Sequence, residues 1–403
     1  MTAPAHVPEH LIRSTEPMQA HALDADPFIG TSRAARELPE IFYAAEEDLR
    51  GQSGHWVVTT DELIREIIRD AKSFSSSGIA GFSMLLGEQW PLIPLEIDPP
   101  LQTEFRRVMA PILAPARVKT LEDDIRGLAV HLIDQIKDDG ECDFNRAFGT
   151  PLPVVIFMRL MGMPLDRLDT FLAWENDLLH SGDMTKRVEA AKSIYEFLSS
   201  LIEARRADPQ DDLVSMAVQM EVEGRSLTQD EIMGMCYLFF VGGLDTVAAT
   251  LGYIFKYLAE NPEDRRRLAE DFSLIPNAIE ELMRRHSVVS TRRLVTRDME
   301  FHGVQLKAGD YIECDLGLSG TDPEAYDDPL NVDITRKPNP HLGFGGGPHR
   351  CFGSNLARAE MRIGIEEWLK RIPDFTVKPG AELRSHLGVK GLDALPIQWR
   401  KPV

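Results

Sequence analysis

The chain has 403 residues, 43% of them hydrophobic and only 7% aromatic, with a formal net charge of −20. That length allows one large domain or two, with a core that leans on aliphatic side chains and 15 methionines. The acidic balance argues against nucleic acid or an anionic membrane as partner. The scattered Cys142, Cys236, Cys314 and Cys351 form no CxxC pair, which argues against a disulfide framework or a cysteine-rich zinc site.

The first thirty or so residues begin "MTAPAHVPEHLIRSTEP" and show no apolar run. They read as loosely ordered, with neither a signal peptide nor an N-terminal anchor, and with the cysteine usage they predict a cytoplasmic protein. "GHWVVTT" at 54–60 reads as a short strand and Asp61–Asp70 as the helix after it, capped by Thr60 or Asp61. From Arg117 to Phe272 helical periods dominate. Between Arg292 and Cys314 the pattern alternates and is broken by His-Gly and Ala-Gly-Asp turns, so short antiparallel strands are expected. A helix returns after Cys351, with Leu356, Ala359, Ile363 and Leu369 on one face, and "GLDALPIQWRK" closes the chain as strand. The fold class is mainly α with a small β-rich region. No βαβ series or Ser/Gly linker is present, and the chain reads as a single domain over 1–403.

Asp230 to Glu260 contains no proline and is apolar nearly all round in its middle. At ~1.5 Å per residue such a helix crosses a whole domain, either deeply buried or in lipid. Asp245 in mid-run, the lack of flanking basic clusters and the lack of another spanning segment weigh against lipid. Gly242-Gly243 sits mid-helix, at a cost of roughly 1 kcal/mol per glycine relative to alanine. Asp245-Thr246 then puts a carboxylate and a hydroxyl into the apolar run. A threonine hydroxyl can bond the carbonyl four residues back and locally open the helix. The plain alternative is a helix crossing that needs glycine.

"FGGGPHRCFG" at 344–353 places one cysteine among glycines, just before a helix. Backbone N–H groups at a helix start favour thiolate, and glycines at 345–347 and 353 admit a flat, bulky group. A phosphate loop is excluded, because GxxxxGK[ST] is absent. An inert buried cysteine, or a Cys351/His349 nucleophile, remains open. A thiolate bound to haem iron accounts for sulfur, glycines and nearby cations together, with His349 meeting a propionate. "EELMRRHS" puts Glu281 and Arg284 three apart on one helix face, by itself an ordinary ion pair.

The three features in this order resemble the cytochrome P450 haem-thiolate monooxygenases. Phe344, Gly347, Cys351 and Gly353 match FxxGxxxCxG; Gly242, Gly243, Asp245 and Thr246 match (A/G)Gx(D/E)T; Glu281 and Arg284 match ExxR. The likeness extends to the soluble bacterial camphor hydroxylase family through "HVPEHL" at 6–11, "GHW" at 54–56, "DPPLQTEFR" at 98–106, "EFHGVQLKAGD" at 300–310 and "RIPDF" at 371–375. The resemblance implies the cytochrome P450 fold, with haem b between the long helix and the cysteine loop and O2 as co-substrate. Cys351 would be the axial ligand, and Phe344 would pack against the loop. Asp245 and Thr246 would manage proton delivery, while Arg106, Arg293 and His349, with Gln102 nearby, would hold the propionates. Glu281 and Arg284 would be structural. Thr291 departs from the pattern, standing where the camphor enzyme has an aspartate beside a propionate.

By the same resemblance, Trp90 occupies the place of the tyrosine that holds the camphor carbonyl. Leu95 replaces a threonine, and Lys390 a valine beside Val389. Leu238, Val241, Gly242 and Val289 would complete an apolar pocket. The substrate implied is small and apolar, a cyclic terpenoid or norisoprenoid ketone other than camphor. Electrons would come from a small acidic [2Fe–2S] ferredoxin served by a flavin-dependent reductase, docking on a basic patch of Arg106, Arg107, Arg350, Arg358 and Arg362. The enzyme would be a monomer. A non-enzymatic haem-thiolate sensor would share the cysteine loop but would have no use for Asp245-Thr246 in a glycine-broken helix. A cysteine hydrolase would lack the Soret band.

Overall fold

The computed structural model describes residues 3–47, 53–386 and 388–401. Helices dominate and β structure is confined to small sheets, the mainly-α architecture expected. Local rules set many helix starts. Proline opens Pro115–Ile136 and Pro151–Met161, where its missing N–H costs nothing. Asp183 and Asp212 accept backbone N–H groups at the starts of Met184–Ala207 and Leu213–Gln219. Thr228 and Glu231 form a reciprocal capping box ahead of Gln229–Leu244.

Two hydrophobic clusters result. The larger lies among the helices and includes Met161, Phe240, Leu251, Ile363 and Trp368. One aromatic group gathers around Trp368 of the helix Ser354–Arg371. There Phe144 stacks on Phe255 at 4.0 Å and Trp368 meets both edge-on at 5.3 Å. The smaller cluster holds Phe42, Trp56, Ile64, Ile67 and Ile312 against a sheet, and Val289 packs against both clusters.

That sheet has six strands, in the order Ile12–Arg13, Ile41–Glu47, Ser53–Val58, Tyr311–Asp315, Ser290–Val295 and Phe74–Ser75. Tyr311–Asp315 and Ser290–Val295 pair antiparallel as their alternation implies. Tyr311–Asp315 also runs parallel to Ser53–Val58, with Ile312 opposite Trp56. No local pattern announces a pairing across that many residues.

Three expectations are revised. Residues 3–30 carry regular elements: Glu9–Leu11 and Glu16–Gln19 are helical, and Ile12–Arg13 joins the sheet. The sparse apolar residues there show no period yet find tertiary partners, Val7 and Met18 in the smaller cluster and Phe28 edge-on to Tyr253 at 5.1 Å. The helix Asp61–Arg69 forms, but the Thr60 side chain does not cap it; the Asp61 amide donates to Asp322 Oδ2 at 2.6 Å. The long apolar run is two helical segments, Gln229–Leu244 and Thr246–Glu260, interrupted at Asp245. It is long and apolar enough to cross a membrane, but 67% of its most apolar window is buried inside the protein, as in a core helix.

Candidate functional site

The interruption lies where the glycines and the Asp-Thr pair predicted it. Asp245 adopts φ −107° and ψ −48°, and its carbonyl resumes the helical ladder by accepting from Ala249 at 2.9 Å. The Thr246 hydroxyl points back at the Gly242 carbonyl, 3.4 Å away. The two glycines do different work. A Cβ on Gly243 would sit 2.4 Å from the Phe157 ring, so this glycine serves close helix packing. A Cβ on Gly242 would meet nothing within 4 Å.

The cysteine loop faces this helix, with the ring of Phe239 lying 6.4 Å from that of Phe352. The loop is closed by the Cys351 amide, which donates to the Phe344 carbonyl at 2.8 Å. Gly345 and Gly347 take φ of 67° and 60°, the left-handed region that favours glycine. A Cβ on Gly346 would press on Ile68 at 2.8 Å, and one on Gly347 would fall 2.5 Å from the Ile68 carbonyl oxygen. These two glycines dock the loop on the end of Asp61–Arg69, whereas a Cβ on Gly353 would lie 3.9 Å from the Cys351 sulfur.

Cys351 is exposed at its surface, yet burial is the largest influence on its thiol. Burial pushes the thiol up, against the Gly353 N–H and the guanidinium groups of Arg106, Arg358 and Arg350. Burial thus opposes the thiolate that the helix-start N–H groups favour. A bound metal cation deprotonates a ligating thiol outright.

The expected propionate residues converge. Arg106 and Arg293 make no ion pair with a carboxylate among the described residues, and burial lowers the pKa of both. The Arg293 guanidinium is steadied by the Thr291 hydroxyl at 3.0 Å and the Arg292 carbonyl at 2.6 Å. Thr291, the departure from the family pattern, thus orients a cation. His349 is held down to about 4 by burial first and by Arg293 next, against Asp98. Neither of its buried ring nitrogens has a partner of good hydrogen-bond geometry, the Pro94 carbonyl approaching without meeting it and Asp98 Oδ1 lying 3.8 Å away. Gln102 donates to the Pro348 carbonyl at 2.6 Å, tying the loop to the helix Leu101–Met109. A haem needs a thiol on one face, clearance opposite, and unpaired donors for its carboxylates. Cys351, Gly242 and the group of Arg106, Arg293 and His349 fit those needs.

The expected pocket residues are apolar and mostly half-buried. Leu95, Leu238, Val289 and Val389 each pack partly against the larger cluster, and Val241 is buried. Trp90 is enclosed between Tyr195 and Tyr237, at 6.2 and 5.1 Å, and its buried indole N–H has no acceptor. The Lys390 ammonium beside Val389 donates to Asp315 at 2.5 Å.

Glu281 and Arg284 are both wholly buried. Arg284 donates to both Glu281 oxygens at 2.8 and 2.9 Å and to the carbonyls of Gly320, Pro329 and Asn331. Glu281 also accepts from the Asp333 amide, Arg336 and Asn339. The pair therefore fastens the long 320–339 connection that leads to the cysteine loop.

The five-arginine patch does not exist as an uncompensated cluster. Arg106 turns inward beside Phe352. Arg107 pairs with Glu104 at 2.8 Å, and Arg362 with Glu122 and Glu366 at 2.8 and 2.9 Å. Arg358 grips Glu280 with two bonds and lies 4.2 Å over the Phe344 ring. Arg350 remains exposed with no carboxylate partner among the described residues.

Asp245 has partners that sequence reasoning missed. Its Oδ2 lies 3.1 Å from His180 Nε2, and the His386 ring is 4.4 Å from that of His180. Burial and the charge of Asp245 raise the Glu175 carboxyl to about 8. These residues come from remote segments, and no spacing rule links them.

A model of the cytochrome P450 family matches residues 166–385. A protein of Sinorhizobium fredii described as probable cytochrome P450 127A1 is 38% identical over 402 residues, 98% of this chain and 96% of that protein. The steroid C26-monooxygenase of Mycobacterium tuberculosis is 32% identical over 386 residues, 93% of this chain and 96% of that protein. The crystal structure of CYP101J2 superposes with a TM-score of 0.86 at 33% identity and covers 100% of both chains. That of CYP101C1 gives 0.86 at 31% identity, covering 99% of this chain and 100% of that one.

Proposed function

The chain belongs to the cytochrome P450 family, of the soluble bacterial kind, and from that premise we propose that it hydroxylates a small cyclic terpenoid or norisoprenoid ketone. The family makes it an oxidoreductase, a monooxygenase that takes haem b with a cysteine thiolate on the iron and uses O2. The bound haem supplies the oxidising chemistry, with thiolate donation favouring O–O cleavage. A sensor without catalysis does not suit the family or the monooxygenase relatives.

The chain's own residues take these parts in our reading. Cys351 gives the sulfur ligand. Arg106, Arg293 and His349 receive the propionates, with Gln102 and Phe344 holding the loop. Thr246 presents a hydroxyl at the helix break, and Asp245 passes protons to it. The observation that carries this reading is that the helical segment ending at the Asp245 break touches the cysteine loop, Phe239 against Phe352.

The ketone rests on Trp90. A buried indole N–H without an acceptor is costly, and a substrate carbonyl would satisfy it. The apolar side chains of Leu95, Leu238, Val241, Val289 and Val389 suit a hydrocarbon frame. The related steroid C26-monooxygenase of Mycobacterium tuberculosis is named for a steroid substrate. A separate electron donor follows from the absence of a flavin or iron–sulfur motif, and we assign that part to a [2Fe–2S] ferredoxin with its reductase. A cytoplasmic monomer fits that supply.

Reduced protein with carbon monoxide should give the red-shifted Soret band of thiolate-bound haem, and Cys351→Ala should abolish it. Retention of the band in that variant overturns the ligand assignment. Spin-state titration with cyclic ketones tests the substrate. Tight binding of camphor, or equal response of Trp90→Phe to ketone and parent hydrocarbon, overturns the ketone assignment.

A further inference from the structure

Asp245 sits at the meeting point of three chain segments. His180 follows the helix Leu168–Leu179, and His386 stands on the two-stranded ribbon of Ser385–His386 and Gly391–Leu392. One donor atom from each of His180, Asp245 and His386 lies within 4.8 Å of the other two. His386 is prepared in a particular way. Its Nδ1 lies 3.1 Å from Asp393 Oδ1, while its Nε2 is buried and unpartnered. A carboxylate on one imidazole nitrogen fixes the tautomer that leaves the other as a lone-pair donor, the usual outer support of a metal-bound histidine. Glu175 Oε1, also buried without a hydrogen-bond partner, lies 4.0 Å from His180 Nε2. Glycines make the room: a Cβ on Gly391 would fall 2.6 Å from His386 Nε2, and one on Gly388 would fall 3.1 Å from His180 Nδ1.

We propose that His180, Asp245 and His386 form a binding site for a divalent transition-metal ion of the zinc type, with Glu175 completing the donor set. Two imidazoles and carboxylate oxygens suit zinc, nickel or cobalt, whereas magnesium and calcium prefer all-oxygen cages. Zinc bonds of about 2.0–2.2 Å need the donors drawn somewhat closer than they stand, which side-chain rotation supplies. The ion would pin the end of Leu168–Leu179 and the C-terminal ribbon to the helix break. It would also occupy the Asp245 carboxylate. On the reading above, in which Asp245 passes protons, the bound ion suppresses product formation.

The test uses chelator-stripped, haem-loaded protein titrated with zinc(II) by calorimetry, beside His386→Gln, His180→Gln and the surface control His302→Gln. A single tight ion is expected in the wild type and the control, with affinity lowered about tenfold or more in each site variant. The carbon monoxide spectrum checks that each variant keeps its fold. No tight zinc, or tight zinc retained in both site variants, overturns the site. A second measurement asks whether zinc(II) inhibits turnover in the wild type and not in His386→Gln. Binding without inhibition upholds the site and removes Asp245 from proton supply, so the two ideas fail separately.

Discussion

Arg284 Nε and Nη2 donate to the two Glu281 oxygens at 2.8 and 2.9 Å, with both side chains wholly excluded from solvent. Removing the guanidinium leaves the carbonyls of Pro329 and Asn331 without their donor and weakens the neutralisation of a buried carboxylate. Arg284→Ala should lose about 3–5 kcal/mol of stability and release haem readily. Chemical denaturation followed by the Soret band measures this. A loss below about 1 kcal/mol would show that Arg336 alone neutralises Glu281.

The neighbouring glycines should respond in opposite ways. Gly243→Ala drives a methyl into the Phe157 ring and should cost about 1–3 kcal/mol. Gly242→Ala meets open space, and the gain in helix propensity offsets any strain, so stability should hold or rise by up to about 1 kcal/mol. Its effect should fall on substrate binding, read by spin-state titration. Equal destabilisation of the two variants would refute the division of labour.

Thr246→Ala removes a hydroxyl that makes a long contact, 3.4 Å, to the Gly242 carbonyl. Stability should change by under about 1 kcal/mol. Product formed per NADH oxidised should drop several-fold while hydrogen peroxide accumulates, and Thr246→Ser should recover most of the coupling. Tight coupling in the alanine variant would sink the assignment.

His286 stacks on Tyr253 at 5.4 Å, and burial first, then Arg285, drives its pKa down to about 3. The fold therefore holds it neutral, while the unfolded chain takes a proton below the ordinary value of 6.5. Stability is full above pH 6.5 and is lost as pH falls towards 3, at up to about 1.4 kcal/mol per unit from this residue. Denaturation midpoints measured between pH 7 and pH 5 should fall less steeply in His286→Gln than in the wild type. Parallel slopes would place the acid sensitivity elsewhere.

Arg350→Glu should slow reduction of the substrate-bound protein by a ferredoxin, with a weaker dependence on salt, and leave substrate affinity unchanged. Arg107→Glu should do less, because Glu104 already neutralises that arginine. Equal slowing by both would restore the broad patch.

The parts legible in the sequence were those encoded within a few residues: the Asp245 break, the loop closed on Cys351, and the Glu281–Arg284 pair. Each is a short-range pattern with a physical reason. What stayed hidden depends on which distant atom fills a given space. Glycine spacing shows where a Cβ is missing, but not that Phe157 presses on Gly243 or Ile68 on Gly347. Arginines could be counted near the loop, but Glu280 and Glu122 reach them from other helices. Likewise His180 and His386 lie far from Asp245 along the chain, and only folding joins them.

Gly346 and Gly347 rest on Ile68 and its backbone, at the last turn of a helix whose other apolar residues, Leu63, Ile64 and Ile67, belong to the smaller cluster. The sulfur is therefore carried by one half of the molecule and footed on the other. Trimming or grafting within the N-terminal sheet would disturb the proximal side of the haem before it touched the pocket. On the proposed reading, changes around Trp90 would alter substrate range and leave this footing intact, whereas the sheet and its helix would act as the mounting of the cofactor.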